Sequence, residues 1–329
     1  MAYAYVTLVM NDPSYFYGAL VLWYSLKKVG SKHDFVIMVT SNLVDSEGYF
    51  VAKSIPNVKI VIVNEANFSA RQKSSKRFIN LYHWLNLSFT KFQLFTLTQY
   101  DKVLFLDADM VVQRNPDLLF RLNTPAGICS SIPENAQTQN TYFGRIIGQN
   151  MLETAIYHYY GIRGCTLLLK PDLKIYGEIM KVLVDQEGYG DENLFIGPDE
   201  RLISEFYFKY AQPSSDWTHI HNAYGAASFK KFQYPIAILH YVTEKPWKSK
   251  ENWPDFKIWY SLANELSELY PQFGAFLNKQ VGYIRFGDII VDVPRSYYQP
   301  ETPVEPIEPS EYTVEPGHIG FGEFTVKSP

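Results

Sequence analysis

The amino-acid sequence predicts an α/β fold with a mixed, mostly parallel central sheet covered by helices on both faces. Short apolar runs rich in β-branched and aromatic residues recur through the first 130 residues, and segments with helical periodicity lie between several of them. Continuously apolar strands that alternate with amphipathic helices are typical of this fold class. The strand candidates are residues 5–10, 35–40, 58–63, 102–106 and 126–132, and the helix candidates among them are 16–28 and 88–99.

The second half of the chain continues this pattern after an interruption. Residues 133–163 are polar and aromatic with weak periodicity, which indicates an insertion near the active face rather than a second core. A chain of 329 residues is long enough for one large α/β domain with an extension, and we place that domain at residues 1–270. The later candidates are strands 165–170 and 237–241 and helices 172–185, 199–210 and 255–269.

The remaining residues, 271–329, are predicted to form a C-terminal extension with a Pro/Glu-rich segment at 294–316. Prolines recur there at every third position, so a polyproline II helix would align them along one ridge. Two interpretations remain open. The segment is either a stiff acidic tail or a docking segment for the catalytic domain or a partner.

Composition excludes several classes of function. The 30 basic and 34 acidic side chains give a net charge of -4, so no overall positive field exists to bind nucleic acid or an anionic membrane. The first strand candidate is not followed by a G-x-G-x-x-G turn, and no Walker loop or G-x-S-x-G motif occurs. Dinucleotide-dependent, P-loop and serine-hydrolase functions are therefore disfavoured.

The chain has two cysteines, Cys129 and Cys165, which are too few for a disulfide framework or a thiolate zinc site. This usage favours the cytoplasm or another reducing compartment. The N-terminal residues lack both a basic flank and an unbroken apolar run of membrane-spanning length. We therefore expect neither a signal peptide nor a membrane span.

The strongest local motif is a pair of carboxylates, Asp107 and Asp109, directly after the apolar run 102–106. Side chains at positions i and i+2 of an extended segment share a face, and ligand sites of open α/β sheets lie beyond the carboxyl ends of strands. A divalent cation bound to a substrate diphosphate would relieve the repulsion between the two charges, and oxygen ligands favour Mn²⁺ or Mg²⁺. A solvated acidic turn is the alternative interpretation of an isolated Asp-x-Asp.

Further motifs surround this pair in a fixed order. With it, they resemble the family 8 retaining glycosyltransferases of the glycogenin and galactinol synthase group, which have a GT-A type nucleotide-sugar-binding fold. The resemblance covers roughly residues 4–250. Its motifs are Val6–Asp12 with Tyr15 and Gly18, then Ser88, Thr90, Lys91 and Leu97–Tyr100, then Asn115–Phe120, and finally His240 with Lys245, Pro246 and Trp247.

The resemblance implies a role for each matching position. Asp107, Asp109 and His240 would be the metal ligands, and Lys245 would face the β-phosphate of a UDP-sugar. Lys91 and Asp199 would lie near the donor sugar as catalytic groups, with Glu200 next to Asp199. The remaining contacts to the nucleotide would come from Leu8, Met10, Asn11, Tyr15, Ala108 and Thr243.

Two departures from the family pattern bear on specificity. After His240 and Tyr241, the chain continues to Lys245 as Val242-Thr243-Glu244, without the glycine of glycogenin-type members. The Asn-Ser-Gly of the family's acceptor side is replaced by Ile162-Arg163-Gly164, at the end of the insertion 133–163. We expect these changes to alter the approach to the phosphates and the choice of acceptor or donor sugar.

The sequence thus predicts a metal-dependent retaining glycosyltransferase. It would transfer a hexose from a UDP-sugar of the UDP-glucose, UDP-galactose or UDP-GlcNAc type to a hydroxyl of a carbohydrate, polyol or glycoprotein acceptor. A homodimer is compatible with the resemblance. The alternative is a catalytically degenerate protein that binds sugar nucleotides or carbohydrates, with a Pro-rich tail for a partner.

Overall fold

The computed structural model describes residues 1–68, 82–131, 143–158, 161–187, 198–211, 214–228, 235–249 and 253–281. Contacts divide the chain into Met1–Ile289 and Ile290–Pro329, and all described residues belong to the first unit. The Pro/Glu-rich segment 294–316 lies outside the described residues. Within those residues, every helix is too short or too polar to cross a bilayer.

Eight α-helices and eleven strands form the described unit. The helices are α1 Tyr15–Lys28, α2 Glu47–Ser54, α3 Tyr82–Leu87, α4 Gln149–His158, α5 Leu173–Glu187, α6 Pro198–Glu205, α7 Phe256–Leu269 and α8 Pro271–Val281. The strands are β1 Tyr3–Val9, β2 Asp34–Thr40, β3 Val58–Val63, β4 Lys102–Leu106, β5 Met110–Val112, β6 Ala126–Cys129, β7 Ile146–Ile147, β8 Ile162–Leu169, β9 Trp217–His219, β10 Ala226–Ala227 and β11 Ile238–His240.

The larger sheet has eight strands in the order β3-β2-β1-β4-β8-β6-β9-β7. Strands β3, β2, β1 and β4 are parallel, whereas β8 runs antiparallel to both of its neighbours, β4 and β6. Strand β9 is parallel to β6. The predicted fold class, a mixed and mostly parallel sheet between helices, is confirmed.

Two apolar layers cover the sheet, one on each face. Strand β1 shows the alternation between them, because Tyr5 and Val9 belong to one layer and Val6 and Leu8 belong to the other. Helices α1, α2, α7 and α8 build the first layer, and α4, α5 and α6 contribute to the second. A central parallel strand that is buried on both faces explains why the sequence of β1 is continuously apolar.

The helix predicted at 88–99 is instead a 3₁₀ helix, Ser88–Thr96, that follows α3. Phe89, Phe92 and Phe95 recur at every third position and are all buried. A 3₁₀ helix has three residues per turn, so it aligns these rings in one row against the sheet. The candidate 199–210 likewise divides into α6 and a π-helical turn, Phe206–Tyr210.

The segment around the predicted insertion carries secondary structure of its own. Strand β7 adds to the edge of the large sheet beside β9, and α4 follows directly. Leu152 and Ala155 of α4 are buried in the second apolar layer. At the other end of the unit, α8 packs on α1, where the Tyr17 hydroxyl donates to the Phe276 carbonyl over 2.9 Å and the two rings stack.

One edge of the large sheet collects the segments that carry the candidate site. Strands β1, β4, β6 and β9 end there, and the antiparallel β8 begins there. A second sheet, ordered β10-β11-β5, lies next to this edge because β5 starts directly after Asp109. Its pairing sets His240 opposite Met110, which brings a distant histidine to the aspartate pair.

Helix α1 approaches this edge so closely that only a glycine fits. A Cβ atom added to Gly18 would lie 2.3 Å from the Ala108 carbonyl oxygen and 2.5 Å from the Trp247 ring. The helix therefore rests on the backbone between the two aspartates. Trp247 is fixed from its other end, since its indole N–H donates to the Ser14 hydroxyl over 3.3 Å.

We expect Gly18→Ala to destabilise the fold by about 1–3 kcal/mol, because the added methyl forces backbone apart in a packed core. The measurement is the midpoint of thermal or urea unfolding. Gly177→Ala is the matched control, since Gly177 lies exposed in the interior of α5 with open space around it. That change should leave stability unaltered or raise it by about 0.5–1 kcal/mol. Equal effects of the two substitutions would contradict the close contact.

Candidate active site at the edge of the central sheet

The aspartate pair lies on a tight connection from β4 to β5. The Asp107 amide donates to the Cys165 carbonyl over 3.2 Å, and the Tyr241 amide donates to the Asp109 carbonyl over 3.0 Å. These bonds tie the connection to β8 on one side and to β11 on the other. Asp109 is buried, whereas the side chain of Asp107 remains 31% exposed and so faces the open edge.

His240, at the end of β11, completes a group that could hold a metal ion. Its Nε2 atom lies 3.1 Å from Asp109 Oδ1 and 3.7 Å from Asp107 Oδ2. One ligand atom from each residue can be chosen so that all three lie within 4.8 Å of one another. Ligands at 2.0–2.6 Å around one ion are about 3 to 5 Å apart, so this donor set fits a divalent cation. Two carboxylates and an imidazole suit Mn²⁺ or Mg²⁺ better than a soft metal.

Lys245 provides a second positive charge at Asp109. Its Nζ atom lies 2.5 Å from Asp109 Oδ2 and also donates to the carbonyls of Tyr241 and Val242, over 2.7 and 2.9 Å. The loop from Tyr241 to Lys245 therefore folds back on itself around this ammonium group. The group lies 13% exposed at the rim of the metal-ligand set, next to the solvent from which a substrate would approach.

Lys91 lies on the opposite side of the pair, in the 3₁₀ helix Ser88–Thr96. Its Nζ atom is 2.5 Å from Asp199 Oδ2, 3.7 Å from Asp107 Oδ1 and 2.9 Å from the Gly164 carbonyl oxygen. Lys91 and Asp199 are both buried. Asp199 is in the first turn of α6, where the helix dipole stabilises a negative charge.

The charges in this cluster shift one another's titration. Burial raises the pKa of Asp107 despite the nearby ammonium of Lys91. Burial acts in the same direction on Asp109, but the charges of His240 and Lys245 outweigh it and lower the pKa of Asp109. Burial would lower the pKa of His240, and Asp109 more than reverses this. The imidazolium must therefore lose a proton before its nitrogen can bind a metal.

Glu200 lies beside Asp199 and is held by the backbone of β8. Its Oε1 atom accepts a hydrogen bond from the Gly164 amide over 2.8 Å. Burial, followed by the negative charge of Asp199, raises the pKa of Glu200 to about 7. Gly164 thus connects both groups, since its carbonyl binds Lys91 and its amide binds Glu200.

The loop after β1 lies along the same edge. Asn11 adopts a left-handed conformation with φ of 62°, and the Ser14 amide donates to the Asp12 carboxylate over 2.8 Å. Lys248 pairs with Asp12 and lies 4.8 Å above the Tyr15 ring, and that ring packs edge-on against Trp247. The loop and the segment after Lys245 therefore support each other.

The structure brings most of the predicted site residues to one edge, while their roles stay predictions. Met10, Asn11 and Tyr15 border the loop, Ala108 lies buried beneath α1, and Thr243 is exposed on the turn before Lys245. Leu8 is 9% exposed and belongs to the second apolar layer, so only its edge could face a ligand.

Sequence reasoning missed two features of this site. One is the backbone of Gly164, whose carbonyl binds Lys91 and whose amide binds Glu200. Backbone groups are the same in every residue, so the amino-acid sequence does not indicate these contacts. The other is the contact of Lys248 with Asp12 and Tyr15, which joins residues more than 230 positions apart. The sequence did contain one indication of the second feature, which is that the basic residue Lys248 directly follows the Lys245-Pro246-Trp247 motif.

Known proteins agree with this architecture. The galactosyltransferase LgtC, solved as an active-site mutant, superposes with a TM-score of 0.52 at 15% identity, over 80% of this chain and 95% of that one. The glycosyltransferase GlyE of Streptococcus pneumoniae superposes with a TM-score of 0.51 at 14% identity, over 86% of this chain and 65% of that one. The fold is therefore that of a GT-A glycosyltransferase.

The sequence comparisons define the family. Protein R707 of Acanthamoeba polyphaga mimivirus is 29% identical over 75% of this chain and 83% of its own length. Human glycogenin-1 is 25% identical over 82% of this chain and 69% of its own length. Neurospora crassa glycogenin is 26% identical over 74% of this chain but 31% of its own length. The model of glycosyl transferase family 8 matches residues 6–251. The chain belongs to this family and is a glycosyltransferase.

We expect Glu200→Gln to stabilise the protein at pH 8 and to have little effect near pH 4.5. The folded state raises the pKa of Glu200 above its ordinary value of 4.5, so ionisation weakens the fold as pH rises towards about 7. A neutral amide avoids this loss, which amounts to at most about 3 kcal/mol for a shift of this size. Urea unfolding across this pH range measures it. A pH-independent difference between the two proteins would contradict the assignment.

Proposed function

We propose that this protein is a metal-dependent retaining glycosyltransferase that transfers a hexose from a UDP-sugar to an acceptor hydroxyl. The observation that carries the proposal is the group formed by Asp107, Asp109 and His240, with Lys245 and Lys91 on either side of it. A nucleotide-sugar donor and a carbohydrate acceptor accord with the family. Donors of the UDP-glucose, UDP-galactose or UDP-GlcNAc type are the candidates.

The loop after β1 would bind the nucleotide. Its residues Met10 and Asn11 follow a strand that lies directly beside β4, so uridine bound there would direct its phosphates towards the aspartates. The Tyr15 ring offers an apolar surface for a base, and the ammonium of Lys248 lies above that ring. The ion pair between Lys248 and Asp12 would hold the loop in place around the ligand.

Departure of the diphosphate is the step that most needs positive charge. Lys245 lies at the exposed rim and would shift from Asp109 towards the β-phosphate as negative charge develops there. A divalent ion held by Asp107, Asp109 and His240 would supply Lewis-acid assistance to the same leaving group. His240 would bind as the neutral imidazole, having released its proton.

The sugar would lie over Gly164, between the aspartate pair and α6. Lys91 fixes Asp199 there and also reaches Asp107, so it positions carboxylates on both sides of the sugar. Retention of configuration proceeds either by front-face attack through an oxocarbenium-like state or through a covalent intermediate on a carboxylate. Asp199 is our candidate for the nucleophile of the second route.

The direct test is UDP release from a panel of UDP-sugars, with Mn²⁺ and with excess chelator. We expect one donor to release UDP with Mn²⁺, even as slow hydrolysis to the free sugar, and chelator to stop the reaction. Binding of a UDP-sugar without any release would instead favour the catalytically degenerate binding protein. Release that continues unchanged in chelator would exclude the metal from the mechanism.

Asp109→Asn should lower Mn²⁺-dependent turnover by about a hundredfold or more, since an amide is a poor metal ligand and leaves two cations without their partner. The folded state, followed by circular dichroism, should persist because the side chain keeps its size. Asp45→Asn, at an exposed position before α2, is the control and should retain full turnover. Full activity of Asp109→Asn would refute the metal site.

Lys245→Met should lower kcat by about ten- to a thousandfold and should weaken UDP-sugar binding less than that. The reason is that charge on the leaving group grows towards the transition state, where the ammonium contributes most. Steady-state kinetics and calorimetric titration of UDP with Mn²⁺ separate the two effects. An effect confined to affinity would assign Lys245 to ground-state binding alone.

A further inference from the structure

The turn between His240 and Lys245 exposes apolar surface at the rim of the candidate site. The carbonyl of Val242 accepts a hydrogen bond from the Lys245 ammonium over 2.9 Å, and that ammonium also contacts Asp109. The side chain of Val242 nevertheless belongs to a residue that is 48% exposed. Single exposed apolar residues are common on protein surfaces, so the significance of Val242 depends on what lies next to it.

Trp253 adds a second and larger apolar surface to the same turn. Its indole N–H donates to Glu244 Oε2 over 3.0 Å, and Glu244 directly precedes Lys245 in the chain. The Ser249 hydroxyl donates to the same oxygen over 2.6 Å. The tryptophan is therefore anchored to the turn at its polar edge, yet it remains 51% exposed.

The anchor of Trp253 is an ionised carboxylate. Hydrogen bonds from Ser249 and Trp253 lower the pKa of Glu244, so the carboxylate accepts both bonds at neutral pH. Because the indole N–H already has its partner, the exposed part of the ring is hydrocarbon surface. A ring that is oriented before a ligand arrives loses little conformational entropy on binding. A flat hydrocarbon surface of this kind fits the C–H face of a pyranose ring, whose hydroxyl groups project from its rim.

The stereochemistry of the proposed reaction brings the acceptor to this turn. Retention of configuration requires the acceptor oxygen to attack the face of the sugar from which the diphosphate leaves. This requirement holds for front-face attack and for the second step of the covalent route. Lys245 is our candidate for the β-phosphate contact, so the acceptor would approach beside Lys245 and its turn. Covalent geometry limits the distance from Lys245 Nζ to the Trp253 indole nitrogen to at most about 18 Å, which a short oligosaccharide can span.

We propose that Trp253 and Val242 form a stacking subsite for a pyranose ring of the acceptor. The acceptor is accordingly a glycoside or an oligosaccharide, with its reacting hydroxyl near Lys245 and a ring farther along the acceptor packed on Trp253. This inference rests on the proposed function, because it names the acceptor class of the same site. An open-chain polyol offers no flat C–H face and would not use the subsite.

The test compares the binding of three probes to the full chain by ligand-observed NMR titration without nucleotide: methyl β-cellobioside, methyl β-lactoside and sorbitol. We expect at least one glycoside to bind about five- to tenfold more tightly than sorbitol, because stacking removes apolar surface of the ring from water. Trp253→Ala should abolish this preference, and Trp253→Phe should keep part of it. Phe50→Ala is the matched control and should keep all of it, since Phe50 is an aromatic residue of α2 that is 56% exposed outside the site.

Titration of UDP with Mn²⁺ in each protein keeps the two proposals separate. Absence of UDP binding by the wild type would refute the proposed function, whereas the subsite is judged by the probes. We expect equal UDP binding by the wild type and Trp253→Ala, and weaker binding by the variant would assign the ring to the nucleotide and overturn the subsite. Equal binding of the three probes by the wild type, absence of binding by both glycosides, or an unchanged preference in Trp253→Ala would also overturn it. Unchanged unfolding midpoints ensure that the variants are folded.

Discussion

The site depends on one constraint, which is the concentration of negative charge at the edge of a buried sheet. Asp107, Asp109 and Asp199 lie close together, and cations from three other segments balance them: Lys91, Lys245 and His240. Removing any of these cations would leave a carboxylate in a poorly solvated position. The fold of the edge and the diphosphate binding that we propose thus have the same electrostatic origin, since cations that neutralise the aspartates can also face a phosphate.

Different strands contribute different parts of the candidate site along that edge. The parallel strands β1 and β4 carry the proposed nucleotide loop and the two aspartates of the candidate metal site, as expected where the carboxyl ends of parallel strands meet. Reversal of β8 brings the start of a strand, rather than its end, to the same edge. Backbone groups of Gly164 are therefore free of sheet pairing and bind Lys91 and Glu200 instead. The small sheet then delivers His240 from far along the chain.

Part of this arrangement could be predicted from the sequence. Asp107 and Asp109 were recognisable because both follow an apolar strand at positions i and i+2, and the β-branched runs correctly indicated the α/β class. His240 and Lys245 could be identified only by resemblance to a family. Contacts such as Lys91 with Asp199 join residues over a hundred positions apart through the sheet, and no local pattern encodes them. The 3₁₀ helix at Ser88–Thr96 was mistaken for an α-helix, although its phenylalanines repeat every three residues.

The contact at Gly18 has a consequence for altering this protein by design. Because helix α1 touches the backbone of Ala108 without room for one additional carbon, the position of α1 is tied to that of the connection that carries Asp107 and Asp109. Changes there would propagate directly to the aspartates. Strands β6 and β9 lie farther from this contact, since β4 and β8 separate them from β1 in the sheet. Libraries that aim to alter the substrate range can therefore begin on these two strands, at positions that do not pack on β8, because β8 holds Lys91 and Glu200 through Gly164.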